Sequence, residues 1–193
     1  MKINSNITVR EVKNDDELKE FVMFPHKLYK DSKYWVAPII KEELEVLNKK
    51  INPVFKNADA HYFLAFINGE IVGRVAALIN WVEVKDLKKK KVRFGWFDFV
   101  DNKEVSKSLL NEVIKIGNDN NLEFIEGPVG FSNMDKAGML IKGFEKKNTM
   151  ITLYNHSYYQ DHMIAHGYKK LAEWVEYELK IANYEDSPEK VKK

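Results

Sequence analysis

The sequence predicts a single α/β (α+β) domain with a mixed, mostly antiparallel central sheet flanked by helices. Three observations carry that expectation: two apolar β runs joined by Asn68-Gly69, a long amphipathic helix pattern from Val105 to Ile116, and strand and helix patterns following one another on either side of them. The 193 residues are 45% hydrophobic and 31% charged. That is enough apolar chain for one sizeable core without disulfides or a structural metal.

Taken in order, Ile7, Val9 and Val12 lie among polar residues as a strand, and Asn14-Asp15-Asp16-Glu17 then opens a helix with acids that suit its dipole. Leu18, Phe21, Val22 and Leu28 keep helical spacing, but Pro25 should interrupt or kink that helix before Tyr29. Trp35-Val36-Ala37-Pro38 is extended, because the residue before proline is pushed out of the α region. A second helix covers Ile40 to Asn48, and Asn52-Pro53 marks a turn. Tyr62 to Ile67 and Glu70 to Ile79 form a hairpin through a type I′ turn at Asn68-Gly69. Val92 to Val100 adds an aromatic strand, and Lys88 to Lys91 in the connecting loop reads as a solvated charge run.

Asp101 or Asn102 caps the next helix, which presents Val105, Leu109, Leu110, Val113, Ile114 and Ile116 on one face through Asn118. Leu122, Phe124 and Ile125 make a short strand ending at Gly127-Pro128, and a long loop follows from Val129 to Asn148. Loops of that length in a small domain tend to bind or cover something. Ser157 caps a helix from Tyr158 to His166, with Gly167 at its left-handed end. Lys170 to Ile181 alternates apolar and charged residues as a last strand. The domain is read as residues 1–181, and residues 182–193 as a polar, disordered tail.

Composition removes several function classes. Cysteine is absent, which excludes zinc ribbons, thiol redox chemistry and cysteine nucleophiles. The formal charge of +2 is too balanced for a dedicated nucleic-acid binder, and a reading built on Lys27, Lys30, Lys33 and Lys88 to Lys91 is set aside on that ground. Met1 to Val12 lacks the apolar core of a secretory signal, and no apolar stretch approaches the ~20 residues that span a bilayer. The expectation is a cytoplasmic protein with no membrane or nucleic-acid partner.

The order of elements, with the Asn68-Gly69 hairpin before an aromatic strand and a long amphipathic helix, resembles the GNAT N-acetyltransferase superfamily over residues 5–181. Ile71 to Ala77 is one of the most similar segments, and Tyr154 through Gly167-Tyr168 looks like the superfamily's closing helix. Phe24-Pro25, Leu28-Tyr29, Trp35-Val36, Gly95-Trp96-Phe97-Asp98, Gly127-Pro128, Gly143-Phe144 and Tyr158-Tyr159 together are similar to an uncharacterised GNAT-like bacterial family whose members are longer than this chain. The resemblance implies transfer of an acyl group, acetyl from acetyl-CoA, to a primary amine of a small molecule or peptide by direct attack in a ternary complex. It also implies that backbone at Phe99 and Val100 holds the thioester. The helix start at Asn102, Lys103, Val105, Ser106 and Lys107 would then hold the pyrophosphate, as helix N-termini hold anions.

The superfamily's phosphate loop, Q/R-x-x-G-x-G/A, is not kept: Asp101 stands at its first position and Glu104 and Ser106 at its glycines. Met163 stands where the family's tyrosine acid falls, so Tyr159, one turn earlier, is the substitute. These departures favour an alternative, a GNAT-like module without CoA chemistry that binds a ligand or a protein partner.

On the resemblance, Asp98 falls where many members carry the acid that deprotonates the amine, whereas alternation alone points it to the wet face. Glu126 is a second candidate base. Tyr158 and Tyr159 also suit packing. Arg74, one of three arginines, suits pairing with a buried acid or a ligand anion. His162 and His166 share a helix face but have no third ligand nearby, so they read as an exposed or partly buried polar edge rather than a metal site. Ser132, Asn133 and Asp135 have no histidine at a triad spacing. If the last strand were supplied by a partner, edge pairing would make a homodimer.

Overall fold

In a computed structural model that describes residues 6–132, 134–149 and 152–177, a five-stranded sheet has the order β1-β2-β3-β4-β5. Strands β1 (Ile7–Glu11), β2 (Ala58–Ile67), β3 (Glu70–Asn80) and β4 (Lys91–Phe99) pair antiparallel, and β5 (Phe124–Glu126) lies parallel to β4. The helices are α1 (Asp15–Leu28), α2 (Ile40–Leu47), the short α3 (Trp81–Lys85), α4 (Lys103–Asp119) and α5 (Tyr158–Ala165).

The sheet separates two apolar clusters. On one face Phe21 and Val22 of α1 and Leu47 of α2 pack on Tyr62, Leu64, Phe66, Ala76 and Leu78. On the other, Val105, Leu109 and Val113 of α4 and Tyr159 and Met163 of α5 pack on Phe63, Val75, Phe94, Phe97 and Phe99. Burying both faces explains the near-continuous apolar runs of β2 and β3. Asn68 and Gly69 both have positive φ, 51° and 84°, as a type I′ turn requires.

Several sequence expectations are corrected. Pro25 does not end α1, which continues to Leu28. A proline removes the N–H that would bond the carbonyl four residues back, here Phe21. That carbonyl accepts instead from Arg74 Nη1 at 2.8 Å, a bond that crosses from β3. Of the two caps the sequence offers for α4, Asn102 is the one used, its side chain accepting from the Glu104 N–H. Ser157 precedes α5 in a helical conformation and makes no side-chain cap bond. Lys91 is not part of a solvated run: it opens β4, is buried, and pairs with Glu83 at 3.2 Å and with Glu126.

Residues 170–177 are not in a strand, because no ladder partner lies beside them among the described residues, and Leu171, Trp174, Val175 and Tyr177 stand exposed. Residues 178–181 of that expected strand, and the expected tail 182–193, lie outside the described residues. No helix among the described residues is long and apolar enough to cross a membrane.

Candidate active site

The site is made where β4 changes direction. Arg74 of β3 faces Asp98 and Ala76 faces Gly95, so Trp96 and Phe97 on β4 stand opposite Val75 alone. This is a β-bulge, and Trp96 carries the positive φ of 45° that its turn requires. Its indole N–H donates to Glu43 Oε2 of α2 at 2.6 Å, which ties the bulge to the helix above. Asp98 faces the α1 side of the sheet while Phe97 and Phe99 face α4 and α5. The wet-face expectation for Asp98 therefore fails: it is 9% exposed.

A buried carboxylate needs partners. Arg74 Nε and Nη2 both donate to Asp98 Oδ2, at 2.8 and 2.7 Å. Oδ1 accepts from the Tyr29 hydroxyl at 2.9 Å. Tyr29 lies 2.8 Å from the Tyr159 hydroxyl, which is itself 3.5 Å from Oδ1 and accepts the Phe99 N–H at 3.1 Å. The protons can therefore be placed in one consistent line, Phe99 N–H to Tyr159, Tyr159 O–H to Tyr29, Tyr29 O–H to Asp98. Burial, and then the charge of Asp98, push both tyrosine hydroxyls well above their ordinary pKa. Both stay protonated at neutral pH.

β5 and the chain just after it stay bonded to β4 as far as the Val129 N–H to Phe94 C=O bond of 2.8 Å. Beyond it, α5 takes the place of a strand at Phe99: Tyr159 accepts its N–H, and Tyr158 donates to its C=O at 2.5 Å. The Tyr159 ring stacks on Phe99 with centroids 4.2 Å apart. Trp35, Tyr154 and His156 ring Tyr29 at 5.3, 5.8 and 4.9 Å between centroids. Burial pushes the His156 pKa down, against a weaker raising effect of its bond to the Leu28 carbonyl.

A second polar cluster joins α4 to α5. Ser106 Oγ lies 2.9 Å from His162 Nδ1 and 2.8 Å from His166 Nε2, and His162 Nε2 lies 2.9 Å from Asp101 Oδ1. His162 is thus a buried tie rather than an exposed edge. Burial, then His162, push the His166 pKa down.

Of the residues singled out from sequence, Asp98, Tyr159 and Phe99 are brought together. Glu126 is not with them: it pairs with Lys91 at the far end of β4, five or more residues from Asp98 along the strand. The Val100 N–H is spent on the Val72 carbonyl at 3.0 Å. At the start of α4 the Glu104 N–H is held by the Asn102 side chain, and the Val105 and Ser106 N–H groups by the Asn102 carbonyl. An anion at that helix start would thus compete with bonds the chain already makes, although Lys103, Lys107 and His166 lie close enough to influence one another. Tyr29 is the residue that sequence reasoning missed. Its signal was present as the hydroxyl that must follow a helix kept intact through Pro25, but only the fold shows what it touches.

This mostly antiparallel five-stranded sheet flanked by helices is the GNAT acetyltransferase fold. Solved structures that share it include a predicted acetyltransferase with acetyl-CoA from Clostridium acetobutylicum, with a TM-score of 0.55 at 13% identity, covering 90% of this chain and 96% of that one. An aminoglycoside acetyltransferase from an uncultured soil metagenomic sample, in complex with trehalose, gives 0.54 at 12% identity and covers 93% of this chain and all of the other, 100%. Among curated proteins, the chain is 29% identical over 172 residues to Protein YghO of Escherichia coli, covering 87% of this chain and 44% of that protein. It is 26% identical over 175 residues to a bacterial ceramide synthase of Caulobacter vibrioides, covering 90% of this chain and 46% of the relative. The chain thus spans under half the length of these curated relatives. No family model matches.

Proposed function

We propose that the chain carries an acyl-CoA-dependent N-acyltransferase site in which Asp98 takes the proton of an attacking amine and Tyr159 protonates the departing CoA thiolate. The observation that carries this reading is the placement of a buried carboxylate and a neutral tyrosine hydroxyl on one hydrogen-bonded line at Phe99, on the stretch of β4 beyond its pairing with β5 in a GNAT fold. In the reaction the amine nitrogen bonds to the thioester carbon, the carbon–sulfur bond breaks, and one proton passes from nitrogen to sulfur. A donor kept protonated by burial and a carboxylate gripped by a guanidinium on its other oxygen are the pair placed for this transfer. For the thioester to approach Phe99, the Tyr158 hydroxyl leaves the Phe99 carbonyl for the ligand, while the Phe99 N–H stays on Tyr159. The relatives support amide formation: the structural neighbours are acetyltransferases, and a ceramide is an N-acylated long-chain amine. Acetyl is the simplest acyl group to test and an amine of small-molecule size the simplest acceptor.

A second reading, a binding module without CoA chemistry, is favoured by the internally bonded start of α4. Calorimetry with acetyl-CoA, palmitoyl-CoA and CoA separates the two. Micromolar binding with release of free thiol in the presence of an amine supports the enzyme. No heat at millimolar ligand supports the module. Because the chain has no cysteine, chromogenic thiol detection has no background from the protein.

A further inference from the structure

We infer that Tyr29 is a relay that carries the proton taken up by Asp98 back to Tyr159, so that the site resets after each turnover without solvent; this rests on the acyl-transfer reading above. The chemistry sets the requirement. Amide formation from a thioester moves one proton from nitrogen to sulfur, so after one cycle the base holds a proton and the acid lacks one. Asp98 and Tyr159 are not themselves well bonded, with 3.5 Å between Oδ1 and the hydroxyl. Tyr29 bridges them at 2.9 and 2.8 Å.

The remaining bonds give the bridge a direction. Both Arg74 donors sit on Asp98 Oδ2, which leaves Oδ1 to face Tyr29. The Phe99 N–H occupies one lone pair of the Tyr159 oxygen, and it stabilises negative charge there once the proton has gone to sulfur. Tyr29 then turns its O–H toward the Tyr159 oxygen and gives up that proton as it accepts the one on Asp98. Two hops restore Asp98 as carboxylate and Tyr159 as phenol, and leave the Tyr29 proton pointing at Asp98 as at the start. Tyr29 is 2% exposed and ringed by Trp35, Tyr154 and His156, so bulk water does not offer a competing path at the middle of the line. It touches neither reacting atom, and acts as a positioning and relay residue.

Tyr29→Phe keeps the ring in its aromatic box and removes only the link. The test uses the full chain with saturating acetyl-CoA and hydroxylamine as a small, neutral acceptor, followed by thiol release. The expected result is a first turnover near the wild-type rate, then a steady rate lower on the order of 10²-fold, with kcat/KM for acetyl-CoA unchanged because the lost step follows the chemistry. In mixtures of light and heavy water the wild-type rate curves with deuterium content, as a multi-proton step does, and the variant's is linear. Should Tyr29→Phe lose its fold, 3-fluorotyrosine at position 29, a stronger acid of nearly equal size, changes the steady rate at constant kcat/KM for acetyl-CoA. Wild-type kcat and an unchanged isotope curve in Tyr29→Phe would overturn the relay while leaving the enzyme reading intact. Absence of acetyl-CoA binding by the wild-type chain in calorimetry would remove the enzyme reading and the relay with it.

Discussion

Arg74 does two jobs that a lysine cannot do together, and the difference can be measured. Its Nε and Nη2 hold Asp98 Oδ2, and its Nη1 satisfies the Phe21 carbonyl that Pro25 deprives of a helical partner. Arg74→Lys keeps the charge beside Asp98 but offers one ammonium for sites that are held by a rigid three-nitrogen fork. The Phe21 carbonyl is then a buried acceptor without a donor, at a cost of about 1–3 kcal/mol. Pro25→Ala supplies the missing N–H in the same helix. In that background the cost of Arg74→Lys should fall by about 1 kcal/mol or more, a coupling well above the ~0.5 kcal/mol scatter of independent sites. Urea unfolding of the four chains, with midpoint and slope fitted together, closes the cycle. If the two substitutions add within that scatter, the carbonyl at Phe21 is not what allows a proline inside α1, and the account of Arg74 is wrong.

Gly73 sits under α4, where an added Cβ would lie 2.8 Å from Leu109 Cδ1 and 3.1 Å from Val105 Cγ1; Gly73→Ala should cost about 1–3 kcal/mol by overpacking, read as a lowered thermal midpoint. Lys91→Met leaves Glu83 and Glu126 without the ammonium they share; a loss of about 3 kcal/mol is expected, and a neutral result in the same melt would show that Arg93, 2.7 Å from Glu83, suffices. Burial is the leading cause of lowered pKa values at His26, His156 and His166. The folded chain therefore binds fewer protons than the unfolded one, and stability present above the ordinary value of 6.5 is lost as the pH falls through it toward the depressed folded values. Urea midpoints at pH 7.5, 6.0 and 5.0 should drop in that order, and His156→Gln should flatten the slope.

Much of this architecture is legible in one dimension because the signals are local. Asn68-Gly69 dictates its turn through φ, the α4 stripe its helix through a 3.6-residue period, and the aromatic run its strand through side-chain shape. Legibility fails where a residue's state depends on a distant partner. Pro25 breaks a helix by every local rule, and stays inside one because Arg74, far along the chain, takes over a hydrogen bond. Lys91 reads as the end of a charged run and is buried because two acids from α3 and β5 close on it. Asp98 reads as solvent-facing because it alternates with Phe97 and Phe99, and it is buried because α1 and Arg74 of β3 cover the other face of the sheet. The pattern at 170–177 has a strand's period but no neighbouring strand among the described residues, and periodicity alone cannot supply a ladder.

The sequence by itself determined that this protein would form one mostly antiparallel sheet flanked by helices, where its turn and its main helix would stand, and which acid on the aromatic strand was worth watching. Only the tertiary structure decided that Asp98 would meet Arg74 from β3, Tyr29 from the end of α1 and Tyr159 from α5. Periodicity records how a segment meets its own solvent and core, whereas a hydrogen-bonded site is a set of long-range coincidences. Tyr29 and Asp98 are 69 residues apart in sequence and 2.9 Å apart in space.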